Sequence, residues 1–289
     1  MNKASGLTEK QASFLLAAVI IARATAYIFS KVCLETMGPF TLLGMRSLLA
    51  CIFMLPFAFN KLRRIKKREI INGSVLGVLF FLTMVFELMG LKSTNVSIAS
   101  ILENTAIVMV PLIVAVISRK PPNLKALLCC MAALLGIIFM SMEGSRFSLS
   151  SGEWTMLLAA FFYALSIIYT SKYANGSEPV AIGFLLVAVM GILSGTAAFI
   201  FESPTIPVSS ETWGSLIYLA VVCTGFGFTL QPLAQSKCSA EKAAVFCALN
   251  PLVATVLGVL LMGEAMAGGD ILGLLLVLLS IVIYGKGSK

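Results

Sequence analysis

Residues 12–33, ASFLLAAVIIARATAYIFSKVC, and residues 153–173, EWTMLLAAFFYALSIIYTSKY, carry one pattern twice. LLAA stands at 15–18 and again at 157–160, and Ser30-Lys31 recurs as Ser171-Lys172. Working outward, Pro39 recurs as Pro179, Gly73-Ser74 as Gly214-Ser215 and Pro111 as Pro251. The offsets, 140 to 142 residues, lie close to half of the 289-residue chain. Each half also carries five long apolar segments. Because five is odd, the second half must enter a bilayer from the opposite side. Inverted repeats of this kind let many secondary transporters build two interconvertible gates around one central site.

Composition sets the solvent. Apolar residues make up 59% of the chain and charged residues only 12%, with a mean hydropathy of +0.99. A soluble domain carries about 25% charged residues, so this surface faces lipid. About 20 apolar residues in a helix cross a hydrocarbon core of about 30 Å. Ten segments qualify: 12–33, 38–58, 70–91, 97–118, 124–141, 153–173, 179–201, 213–234, 242–262 and 269–285. None alternates in the manner of an outer-membrane strand. The expected fold is an all-α integral membrane protein of ten transmembrane helices. They form two inverted five-helix repeats, 12–141 and 153–285. The longest connections, 59–69 and 202–212, leave no room for a soluble catalytic domain.

The formal charge of +8 has a one-sided placement. With a cytoplasmic N-terminus, inside loops hold 16 of the 21 lysines and arginines, including the KLRRIKKR run at 61–68. Outside loops hold Lys31, Lys92 and Arg146, while Arg23 and Arg46 lie within helices. This is the positive-inside bias, and it predicts both termini in the cytoplasm of a cell-membrane protein. Trp154 and Trp213 then fall at the outer interface. The basic run reads as an anchor to anionic lipid rather than to nucleic acid. Residues 12–33 are kept as a span and not a signal peptide, because Arg23 interrupts the apolar run and 153–173 matches it. Cys33, Cys51, Cys129, Cys130, Cys223, Cys238 and Cys247 show no CxxC spacing and read as small packing residues.

The chain has no histidine, no P-loop and no GxSxG elbow. Its single aspartate, Asp270, sits at a helix end. The reading is therefore a non-enzyme, with no catalytic residue, no metal site and no cofactor.

Four ionisable groups lie well inside predicted spans, away from their ends: Arg23, Arg46, Glu87 and Glu103. A charge at the bilayer centre costs on the order of 3 kcal/mol on insertion scales, so such groups face the bundle interior and pair. Arg46 reads as a structural partner, or as a side chain that snorkels to the interface. Arg23 and Glu103 are expected to share a cavity and interact. Polar stripes at helical spacing accompany them. Helix 1 offers Arg23, Tyr27 and Ser30; helix 4 offers Ser97, Ser100, Glu103 and Asn104 above Pro111. Helix 6 offers Tyr163, Ser166 and Thr170; helix 8 offers Thr224, Phe228, Gln231 and Gln235; helix 9 offers Asn250-Pro251. One stripe is ordinary helix–helix glue, but four in related positions predict a shared polar cavity. Its expected substrate contacts are Arg23, Tyr27, Ser100, Glu103, Asn104, Tyr163, Ser166, Thr224, Gln231 and Asn250. Glu103, with Glu87 behind it, is the expected proton-coupling acid. Helices 5 and 10 are almost wholly apolar and are placed at the periphery, against lipid or a second protomer.

These residues resemble the drug/metabolite transporter superfamily, and within it the EamA-type permeases. Lys31, Pro39 and Arg46 match the opening of the family pattern; Pro251, Gly263-Glu264 and Gly273 match its close. Arg23-Ala24 stands where the family often has Trp-Gly, and Arg119-Lys120 replaces its Gly-Glu after helix 4. The resemblance implies ten helices, a cavity lined by helices 1–4 and 6–9, and alternating access. It further implies export of a small polar metabolite or amino acid, with Glu264 structural. A facilitative channel or a lipid or amphiphile flippase of the same fold stays open as the rival.

Overall fold

The computed structural model describes residues 9–119, 121, 124–140, 142–143, 146–147, 149–174, 178–235 and 249–286. The helices are α1 (Glu9–Ala24), α2 (Ala26–Leu34), α3 (Pro39–Leu62), α4 (Lys67–Ser93), α5 (Val96–Asn104), α6 (Ala106–Ser118), α7 (Leu124–Met140), α8 (Ser151–Ala174) and α9 (Pro179–Phe201). They continue as α10 (Ser210–Tyr218), a π-helical stretch Leu219–Phe226, α11 (Gly227–Gln235), α12 (Leu249–Met262) and α13 (Gly268–Lys286). Two two-residue strands, β1 (Met142–Glu143) and β2 (Arg146–Phe147), pair antiparallel between α7 and α8, a local departure from the all-α expectation. The expected start of the ninth span, 242–248, lies outside the described residues.

Seven of the described helical stretches are long and apolar enough to cross a membrane: Gln11–Leu34, Pro39–Leu62, Lys67–Ser93, Val96–Ser118, Ser151–Thr170, Val180–Phe201 and Ser210–Gln231. Leu249–Met262 and Gly268–Ser280 are shorter apolar helices. Local sequence sets the starts. Pro39 and Pro179 occupy first turns, where a missing N–H costs nothing. Ser150 and Glu153 form a capping box on α8: Ser150 N–H donates to Glu153 at 2.7 Å and Glu153 N–H to Ser150 Oγ at 3.3 Å. Gly263 (φ +64) stops α12 in the left-handed region, where a side chain costs about 1 kcal/mol.

Packing runs between the halves. α3 lies against α9, α4 against α8 and α9, α5 against α12, and α7 against α13; α1 and α2 meet α10 to α12. Small residues permit the close approaches. A methyl added at Gly77 would lie 2.6 Å from Val189 Cβ, and one at Gly136 2.8 Å from the Gly273 carbonyl. The core they enclose is continuous across both halves, from Tyr27, Leu42 and Phe80 to Met156, Ile182 and Phe228. Large apolar side chains such as Phe14, Phe57 and Phe199 point outward, as lipid contact requires. α7 and α13 are peripheral but pack on each other, leaving Leu128, Met131, Leu275 and Leu279 exposed.

Carboxylates from the second half cap helices of the first. Glu202 accepts from Phe40 N–H (3.0 Å), Thr41 N–H (2.8 Å) and Thr41 Oγ1 (2.7 Å) at the start of α3. Glu264 accepts from Val96 N–H (2.5 Å), Ser97 N–H (3.0 Å) and Ser97 Oγ (2.6 Å) at the start of α5. The first N–H groups of a helix lack intrahelical partners and carry positive dipole charge, so an anion there satisfies both needs. Lys31 Nζ donates to the Thr94 carbonyl at 2.5 Å beside this second cap. At the other end Lys61 pairs with Glu178 at 2.7 Å, half-exposed, and Glu178 N–H donates to Glu69 at 3.0 Å.

Candidate functional site

Three of the spans expected to be continuous depart locally from regular α-helix. The first breaks at Thr25, whose Oγ1 donates to the Ala22 carbonyl at 2.6 Å and lies 3.0 Å from Tyr218 OH. The fourth breaks at Thr105, whose Oγ1 donates to the Leu102 carbonyl at 2.6 Å. Hydroxyls that bond back to a carbonyl one turn earlier compete with the helical ladder and bend it. The eighth widens into the π-helical stretch Leu219–Phe226. Such irregular backbone is tolerated at membrane depth where protein buries it or a cavity adjoins it.

The cavity is there. Arg23, Ala26, Tyr27, Arg46, Met84, Glu87, Glu103, Cys223, Phe228 and Asn250 line a small space of about 10 Å³. That is room for about one water molecule. Arg23 and Glu103, expected to share a cavity, both line this one, and Arg46 and Glu87 join them, from α1, α3, α4 and α5. Lys61 and Glu178 form an ion pair within 4.0 Å, and three of the four cavity charges hold hydrogen bonds. Arg23 Nη1 donates to Gln231 Oε1 at 2.5 Å, and its guanidinium lies 4.9 Å from the Phe228 ring centroid and 5.6 Å from that of Tyr163. Glu103 accepts from Tyr27 OH. Arg46 Nε donates to Thr224 Oγ1 at 2.8 Å.

The remaining expected contacts sort by position. Gln231, Thr224 and Tyr163 stand behind the two arginines and hold them. Asn250 reaches the wall itself. Ser100, Asn104 and Ser166 donate to their own helices, to the carbonyls of Ser97 (2.8 Å), Ser100 (2.8 Å) and Tyr163 (2.7 Å). They shape the backbone beside the site and do not line it. Arg46 is 1% exposed, so it does not snorkel. Treating it as a structural residue missed a wall position; its depth in α3, two turns past Pro39, was the available signal. Met84 and Cys223 were also missed, since a Met or Cys in an apolar helix carries no sequence mark.

A second, apolar crevice of about 330 Å³ opens between α3, α9 and α11 toward the Lys61 end, lined by Phe53, Met54, Phe57, Phe226 and Leu230 among others. Phe57 and Phe226 are exposed there.

The EamA-like transporter family matches residues 10–142 and again residues 150–285. The chain belongs to the EamA-like transporter family. It is accordingly a multi-pass membrane protein of the drug/metabolite transporter superfamily. It is 26% identical over 280 residues to an uncharacterized transporter of Archaeoglobus fulgidus, covering 97% of this chain and 87% of that one. It is also 26% identical over 309 residues to a chloroplastic WAT1-related protein of Arabidopsis thaliana, covering 98% of this chain and 72% of that one. A solved crystal structure superposes with a TM-score of 0.69 at 16% identity, over 96% of each chain, which is a likeness of fold.

Proposed function

We propose that this EamA-family member is a secondary transporter of the cell membrane. It exports a small polar metabolite or amino acid by alternating access, coupled to protons through Glu103 or Glu87. In this reading ten helices form two inverted repeats, 12–141 and 153–285. Both termini are cytoplasmic, and the outer faces of α7 and α13 meet lipid or a second copy of the chain. The observation that carries it is the convergence of Arg23, Arg46, Glu87 and Glu103 on one small cavity. A group of charges with no structural duty would be replaced by apolar packing at little cost in stability.

The packing of α3 on α9, α5 on α12 and α7 on α13 supports the repeat reading, since each pairs a helix with its counterpart in the other half. The positive-inside bias assigns the Glu202 and Glu264 caps to the outer side, and the Lys61–Glu178 pair to the inner. Opening outward would then require release of two partly buried carboxylate caps, each holding three hydrogen bonds. Opening inward would break a half-exposed ion pair, worth about 0–1 kcal/mol. This asymmetry fits a state closed firmly to the outside.

The apolar crevice favours one rival, an amphiphile flippase with a lateral opening. Proteoliposomes containing both a tracer solute panel and a fluorescent phospholipid separate the two. Movement of solute with the lipid left in its leaflet supports the transporter. Lipid scrambling without solute movement overturns it.

A further inference from the structure

One of the four buried charges, Arg46, holds a polar atom that no described residue satisfies. Arg46 Nη1 is fully buried and has no hydrogen-bond partner among the described residues, although Nε of the same guanidinium is fixed by Thr224. The Glu87 carboxylate, 4% exposed, lines the same cavity. Asn250 Oδ1, on the same wall, is a buried acceptor in the same condition as Arg46 Nη1. Leaving a buried donor or acceptor unmet costs its full desolvation, and more when the group is charged. Arg23 and Glu103, by contrast, already hold Gln231 and Tyr27.

Resting on the reading of this cavity as the substrate site, we infer that Arg46 and Glu87 form a dipole-binding pair that selects zwitterions. The anionic end of the solute lies on Arg46 Nη1, and its ammonium lies between Glu87 and Asn250 Oδ1. Two arginines and two glutamates balance formally. A monovalent cation or anion would therefore add an uncompensated buried charge and leave one of the pair unmet. A neutral solute would leave both weakly served. A solute bearing one charge of each sign satisfies both and keeps the cavity neutral. Met84, Ala26 and Phe228 supply apolar wall for the rest of a small molecule. The cavity is about water-sized as it stands, so binding also requires the walls to part.

The test uses the full chain in detergent, with thermal stability as the readout. The probes are α-amino acids, β-alanine, γ-aminobutyrate, taurine and glycine betaine, each carboxylic amino acid accompanied by its amide and its N-acetyl derivative. Ligand binding to the folded state raises the melting temperature by mass action. At least one zwitterion should stabilise the protein, with its amide and N-acetyl counterparts binding at least about tenfold more weakly, because each strands one buried charge. Glu87→Gln should reduce zwitterion affinity about tenfold and narrow the gap to the N-acetyl form; Arg46→Gln should narrow the gap to the amide. The Arg46→Gln/Glu87→Gln double variant keeps the charge balance and should stay folded without discriminating among the forms. Equal binding of amide, N-acetyl and parent forms, or no stabilisation by any zwitterion, overturns the inference. Binding of zwitterions without flux in liposomes would uphold the pair and reject the transporter. Flux of monovalent or neutral solutes alone would uphold the transporter and reject the pair.

Discussion

Glu264 holds Ser97 twice: its Oε2 accepts from the Ser97 backbone N–H at 3.0 Å and from the Ser97 hydroxyl at 2.6 Å. The residue directly after the left-handed Gly263 thus caps a helix 167 positions earlier in the chain. Gly258 makes room for it, since a methyl there would lie 2.6 Å from Glu264 Oε2 and 2.9 Å from Ser97 Oγ. Gly-Glu in the family pattern acquires a physical meaning here. The glycine ends one helix, and the glutamate begins another.

Glu264→Gln removes the charge from the helix start and one of its two acceptors. Hydrogen bonds to charged groups contribute about 1.5–3 kcal/mol, so stability should fall by about 2 kcal/mol. Gly258→Ala should act in the same direction by displacing the same carboxylate. Thermal unfolding of both variants in detergent checks this, and wild-type stability in both would leave the cap without energetic weight.

Arg23 and Glu103 line one cavity but hold different partners, so the couplings should follow the hydrogen bonds. Double-mutant cycles over Arg23→Met with Gln231→Leu, and over Tyr27→Phe with Glu103→Gln, should each return about 1–3 kcal/mol. The cycle over Arg23→Met with Glu103→Gln should return less. A larger coupling for that third pair would mean the two charges pair directly in the working protein.

Much of this was legible in residue order, and the illegible part has identifiable causes. Seven of the spans and the four buried charges were readable because lipid demands apolar runs and forbids charges that lack a reason to be there. The local departures from regular helix at Thr25 and Thr105 were not, since these look like any other mid-span threonine. Polar stripes overstated the site: Ser100, Asn104 and Ser166 sit on the right faces but spend their donors on their own backbones. Arg46 was understated, because depth in a helix does not reveal whether a guanidinium faces lipid headgroups or a cavity. Glu202 gave no sequence signal for its cap on α3, since the contact spans 161 residues.

The assignment of sides rests on loop charge and is open to direct test. Val208, in the 202–212 connection, is 99% exposed. In a cysteine-free background, Val208→Cys should react with an impermeant maleimide on intact cells. Reaction only after permeabilisation would invert the whole topology.

Proton coupling needs an acid whose charge differs between the two gate states. Glu103 is tied to Tyr27 while Glu87 lines the same cavity from α4, so each acid is tested separately. Whichever acid couples, its Gln variant should lose accumulation driven by a pH gradient while retaining solute exchange. If both Glu103→Gln and Glu87→Gln still concentrate solute in response to a pH gradient, transport is not proton-coupled through these acids.

The central claim is that one solute site is reached alternately from the two sides, and counterflow measures that most directly. Proteoliposomes are loaded with excess unlabelled solute and diluted into a trace of the labelled form. Alternating access predicts saturable uptake with a transient overshoot, strongly reduced by Arg23→Met, and no accompanying ionic current. A flux linear in concentration, without overshoot and with measurable conductance, would contradict the account and identify a channel.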